Sequence, residues 1–154
     1  MKKILIGLVL VVFIVGCGKK ESTQKIDYLK EGMKYLSQQD LGNAVKSFDL
    51  AIQKDPQNVD VYLSVSTIYL KLKNYAAVDA LCAKALKLDP TSGDAYYFLA
   101  MSQGAQGRVA EATELAKKSF SLFAAQNNQQ KAAVVAILLK KIAVSQTPSD
   151  SNAE

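Results

Sequence analysis

Two thiols, Cys17 and Cys82, are the strongest nucleophiles in this 154-residue sequence, and no histidine is present to activate either. Without histidine, Ser-His-Asp and Cys-His relays are impossible, and histidine-based zinc sites are excluded. No glycine-rich loop that could cradle a phosphate occurs. The carboxylates are scattered. Asp55 and Asp89 stand before prolines, and Glu111 and Glu114 lie three residues apart. They read as capping and solubilising groups. The expectation is a protein that is not an enzyme and uses no metal or cofactor. The formal charge is +5, and about +3 without Lys2 and Lys3. That is too mild and too dispersed for nucleic acid, which needs a clustered basic face. A single arginine, Arg108, gives no basis for bidentate phosphate recognition.

The elements that position these residues follow a period. Pro56 and Pro90 are 34 residues apart, each preceded by aspartate. On that period Tyr28, Tyr62 and Tyr96 share a column. Tyr35 and Tyr69 share another, which Gln103 breaks. Ala44, Val78 and Ala112 form a third, Phe48, Cys82 and Ala116 a fourth, and Ala51, Ala85 and Ser119 a fifth. Ala124 replaces the proline in the last copy, and Gly32 sits between the two tyrosines of the first. Apolar spacing predicts helices over 26–38, 41–54, 60–71, 75–88 and 109–124, with a further helix, the fifth of six, between the last two of these, Asp94 in its first turn and ending at Gly107. Asp40 and Asn74 are their predicted N-caps, Asp94 favours the dipole of the fifth helix, and Gly107 interrupts between the last two. No segment alternates with period two. The apolar fraction of 49 % supports a packed core, so the expected fold is all-α.

These columns resemble the tetratricopeptide repeat: aromatic, small and aromatic on a first helix, alanine, aromatic and alanine on a second, then proline. The resemblance spans about 25–126 and implies a short solenoid of three helix-turn-helix repeats, 25–58, 59–92 and 93–126. Such repeats bury their apolar faces only by stacking. A further helix over 127–145 then caps the open end, and a polar tail, 146–154, follows. By the same resemblance the first helices line a concave peptide groove, here Leu29, Met33, Leu36, Leu63, Thr67, Leu70, Tyr97 and Met101, with Ile26, Asp60 and Asp94 beside them. Members that bind chaperone tails carry lysine and asparagine here. This chain has Leu29, Met33, Ser64, Asp94 and Phe98, so that clamp is absent. An apolar strip suits an amphipathic helix or an extended apolar peptide.

The first 16 residues place two lysines before an apolar run from Ile4 to Gly16, the order of a secretory leader. As a helix, the run of 13 residues would be roughly 20 Å long, short of the roughly 30 Å a spanning helix crosses. Ile14-Val15-Gly16-Cys17 resembles the bacterial lipobox. That resemblance implies cleavage after Gly16 and acylation of Cys17 by palmitate-type chains, with 17–25 as a polar tether. Two or more chains anchor stably. Gly18, where an aspartate would favour the inner membrane, favours the periplasmic side of the outer membrane. Only Cys82 then remains, on the core face, as a small hydrophobe.

The resulting expectation is an envelope lipoprotein that serves as a protein-interaction scaffold or assembly factor, with an envelope protein or peptide in its groove. The alternative is a homodimer or larger homo-oligomer. It would assemble through a second apolar face on the last helix, Val134, Leu138 and Ile142, with the groove filled from within.

Overall fold

The computed structural model describes residues 27–145. The expected leader (1–16), Cys17 with its tether (17–25), Ile26 and the tail (146–154) lie outside the described residues. Within them the regular structure is helical: α1 (Tyr28–Ser37), α2 (Leu41–Lys54), α3 (Val59–Lys71), α4 (Tyr75–Leu88), α5 (Gly93–Ala105), α6 (Val109–Ala125) and α7 (Gln129–Val144). Each boundary falls within three residues of the sequence expectation. This is an all-α tetratricopeptide-type solenoid of three helix pairs followed by a terminal helix.

The caps explain the boundaries. Asp40 accepts a hydrogen bond from the Asn43 amide at 3.1 Å, and its other oxygen accepts one from the Asn43 side chain at 2.7 Å. Those two donors hold the Asp40 carboxyl below the ordinary aspartate value. Asn74 accepts from the Ala77 amide, as expected. Asp27, Asn58, Ser92 and Asn128 do the same for α1, α3, α5 and α7. Arg108 heads α6 and makes no side-chain cap bond.

The helix pairs close where one partner is small. Gly32 is buried on α1, and a Cβ there would lie 2.6 Å from the Phe48 ring of α2. In the next pair Ser66 takes the glycine's place and Cys82 the phenylalanine's, with Sγ 3.5 Å from Oγ. In the third the corresponding residues are Ala100 and Ala116, both fully buried. The aromatic lost there returns about two helix turns further on. Phe123 of α6 presses on Gly93, where a Cβ would lie 2.8 Å from the ring. The core divides accordingly. Phe48, Tyr62, Val65 and Ile68 centre one cluster, and Phe123, Val135 and Ile142 centre the other.

Gln103, which breaks the tyrosine column, has its own role. Its amide nitrogen donates to Asp79 of α4 at 3.3 Å, and its oxygen accepts from Arg108. Asp79 also takes the Ser102 hydroxyl at 2.7 Å and the Arg108 guanidinium at 3.2 Å. A polar lock therefore joins the second pair to the third where the first two pairs use an aromatic.

The junction after α6 departs from the expected repeat. Within each pair the turn puts one residue in the left-handed region: Gln39 (φ 60°), Lys73 (φ 56°) and Gly107 (φ 78°). The capping residue's amide then donates back five residues, Asp40 to Tyr35, Asn74 to Tyr69 and Arg108 to Gln103. Between pairs the chain turns instead through Asp55-Pro56 and Asp89-Pro90, and Tyr62 Oη donates to the Pro56 carbonyl at 2.9 Å. After α6 there is no proline. The helix runs to 17 residues against 14 for α2 and α4. The chain then uses the within-pair turn, with Asn127 at φ 56° and the Asn128 amide donating to Phe123. Helix α7 thus packs on α6 as α2 packs on α1. Ala132 and Val135 are buried where α2 buries Ala44 and Ser47.

Gly32→Ala should lower stability by about 1–3 kcal/mol, because the ring cannot retreat in a filled crossing. Adding Phe48→Leu should recover part of that loss. Urea denaturation of the single and double variants checks this, and an unaltered midpoint for Gly32→Ala would refute the close crossing.

Candidate peptide groove

The first helices of the pairs, α1, α3 and α5, present one row of side chains, with α7 closing the end. Its central part is a depression of about 290 Å³ bounded by Asp60, Leu63 and Thr67 of α3, Asp94 and Phe98 of α5, and Lys131 of α7. Leu63 and Thr67 stand there as expected. The Thr67 hydroxyl already donates to the Leu63 carbonyl at 3.1 Å, so it offers a ligand an acceptor rather than its proton. Tyr97 is half-buried against the second core cluster, and its neighbour Phe98 reaches the depression, the two rings tilted 5.6 Å apart.

The other expected groove residues are distributed along the row. Leu29 lines a separate hollow at the start of α1 with Lys54, Asp55 and Val61. Leu36 is half-buried against the first cluster, Leu70 is half-buried, and Met33 is 52 % exposed. Met101 lies in a cleft at the far end of α5. The row is therefore an interrupted strip of hollows.

Lys131 is the residue that sequence reasoning missed. Its ammonium lies 2.6 Å from Asp94 and 5.3 Å from the centre of the Phe123 ring. It sits 34 residues after Tyr97, in the Leu29, Leu63 and Tyr97 column, so carrying the period one step past the third repeat would have found it. Both ends of the pair are partly exposed, which limits its contribution to stability. Asp60, across the depression, keeps the local charge acidic.

The expected second interface is corrected in part. Ile142 is only 7 % exposed and belongs to the second core cluster, and Leu138 is packed against it. Of the three, Val134 alone is exposed. The apolar residues that α7 turns outward are Val134, Ile137 and Val144. The physical reason is the turn after α6, which rotates α7 so that its 132, 135, 139 and 142 positions face inward.

Among the described residues no group of three or more potential metal ligands occurs. No helix there is long and apolar enough to cross a membrane. Cys82 is free and buried. Its thiol donates to Ser66 Oγ, which in turn donates to the Tyr62 carbonyl at 2.8 Å. Burial pushes the thiol up to about 11, so it is neither thiolate nor accessible.

Comparison with known proteins bears on the fold. The model of the tetratricopeptide repeat family matches residues 59–92, which hold α3 and α4. No curated protein matches the chain. Among solved structures, the TPR2B domain of yeast Sti1, in its pHsp70 complex, is similar at 28 % identity and a TM-score of 0.71. That match covers 77 % of this chain and 95 % of that one. PcrH, in complex with the chaperone-binding region of PopD, has 16 % identity and a TM-score of 0.69 over 78 % and 91 % of the two chains. The first such domain of Spaghetti (RPAP3), bound to the HSP90 peptide SRMEEVD, has 21 % identity and a TM-score of 0.65 over 77 % and 89 %. The last two show the fold alone.

Cys82 should react slowly with a thiol reagent at pH 8 in the native protein and fast in denaturant. Its raised folded value favours the protonated form. That contribution to stability is full below about pH 9, the unfolded value, and disappears as pH rises to about 11. Burial also raises Tyr69, with the Asp49 charge adding to it, so it acts in the same direction. Melting temperature measured between pH 8 and 11 should fall across that window, and less steeply in Cys82→Ala.

Proposed function

We propose that this chain is a lipid-anchored adaptor of the bacterial cell envelope. Cys17 holds it to the membrane, on the periplasmic side of the outer membrane, and its concave row receives an apolar or amphipathic segment of another envelope protein. It works by binding alone and performs no catalysis. The observation that carries this reading is the strip of partly exposed side chains on the inner helices, Met33, Leu63, Phe98 and Met101, interrupted by hollows of side-chain size. The solved neighbours support it, because the same fold holds pHsp70 in Sti1, the HSP90 peptide SRMEEVD in RPAP3 and the chaperone-binding region of PopD in PcrH.

The charge narrows the ligand. SRMEEVD carries three acidic side chains among its last four residues. Asp60 and Asp94 border the depression here, so an acidic tail would meet like charge at that point. A neutral or basic apolar stretch fits it better. This agrees with the absence from the inner row of the lysine and asparagine clamp.

A second reading, self-association through α7, is favoured by the exposure of Val134 and Ile137. Against it, α7 carries Lys131, Lys140 and Lys141 and no carboxylate, so two such helices face to face bring cations together.

Two outcomes follow. Cys17→Ser should move the protein from the membrane to the soluble fraction, and retention in the membrane would overturn the lipid anchor. A photocrosslinker at Tyr97 should attach a distinct envelope protein, and Met33→Asp with Leu63→Asp should abolish that capture while circular dichroism remains helical. Crosslinks only to copies of the chain, with a dimer in sedimentation, would establish the second reading.

A further inference from the structure

Between the C-terminal ends of α5 and α7 lies a cleft of about 280 Å³, formed by Met101, Gly104 and Val109 on one side and Leu138, Ile142 and the Lys141 stem on the other. At the small end of the ligand-site range, it suits one side chain rather than a whole small molecule. The repeat explains why it is open. Gly104 is 34 residues after Leu70 and 68 after Leu36, both half-buried leucines on the same inner row. Where the first two repeats supply an aliphatic side chain, the third supplies none. A Cβ at Gly104 would meet only Ala112, at an ordinary 3.6 Å, so neighbouring groups have not closed over the vacancy.

The rim is charged. Lys141 makes no ion pair among the described residues, like Lys118 and Lys140, whereas Lys131 pairs with Asp94 and Arg108 with Asp79 and Glu111; of the unpaired ones Lys141 lines the cleft. The cleft also continues the depression described above. Asp94, Phe98, Met101 and Ala105 recur at helical spacing along one face of α5, about 16 Å end to end. One bound segment can therefore meet acid at the start of α5 and a cation at its end.

We propose that this cleft is the anchoring subsite of the groove. It takes one aliphatic side chain, leucine or similar, from the bound segment, with an acidic residue beside it that pairs with Lys141. The assignment rests on the groove reading, and it fixes the direction of the ligand: basic or neutral over Asp94, aliphatic and acidic over α7.

The probe is the capped dipeptide Ac-Leu-Glu-NH2, titrated into the 17–154 chain and followed by amide NMR shifts. Binding in the millimolar range is expected, with shifts confined to the neighbourhood of Gly104, Leu138 and Lys141. Ac-Leu-Lys-NH2 should bind about three- to fivefold more weakly, the scale of an exposed ion pair, and Ac-Gly-Glu-NH2 should give no shifts there. Lys141→Glu should reverse the preference between the first two, and Gly104→Leu should remove binding while the protein stays folded. No shifts at these residues at about 10 mM peptide would overturn the subsite, as would equal binding of the glutamate and lysine probes. If Gly104→Leu, without any peptide, shifts the amides of 146–154, the chain's own tail occupies the cleft and the proposal also fails. Capture at Tyr97 that survives Gly104→Leu would remove the subsite yet leave the groove reading standing, so the two can fail separately.

Discussion

A glycine against a phenylalanine ring sets how near two helices come, and the rest of this molecule depends on that distance. At Gly32 and again at Gly93 the ring occupies the space where any larger residue would put its first carbon. The helices can then approach closely enough for alanines to be fully buried between them, as Ala44, Ala85, Ala112 and Ala116 are. A packed interior tolerates little change of volume at such points. The middle pair solves the same problem differently. Ser66 and Cys82 share the crossing at intermediate size, and both polar atoms are satisfied by the chain of bonds to the Tyr62 carbonyl. With the crossings fixed, the inner faces of α1, α3 and α5 are fixed too, and with them the row that a ligand would meet.

Much of this was legible in the sequence because close packing leaves a periodic record. The 34-residue period, the columns of small and aromatic residues and the proline stops located six helices and the caps at Asp40 and Asn74. What the sequence did not reveal were exchanges of one solution for another. Gln103 looked like decay of a tyrosine column, yet it joins Asp79 and Arg108 in a polar lock. Ala116 looked like a lost aromatic, yet Phe123 supplies a ring elsewhere on the same helix. A column alignment compares residues at one position and cannot see a contact that has moved along the helix.

The candidate groove was legible to a similar extent and failed for a related reason. Leu63 and Thr67 border the central depression as the alignment implied. Lys131 was missed because α7 was treated as a cap outside the period. The outward face of α7 was misassigned because helical spacing identifies faces without saying which one turns inward. That choice is made by the turn at Asn127, which has the geometry used inside a pair. Without proline after α6, nothing ends that helix early or imposes the between-pair path.

The locks between repeats are unequal, and this has a mechanical consequence. Asp79 gathers four side chains, Ser102, Gln103, Gln106 and Arg108, across the joint between the second and third pairs, while among the described residues the joint between the first and second has no comparable polar network. In a stacked array each unit is held only by its neighbours. Tension applied from the N-terminal end therefore reaches the weaker joint first, and the α1–α2 pair would peel away as a unit before the remainder yields. The first pair is thus the compliant end of the array, able to give under load while the far half, with α5 and α7, keeps its shape.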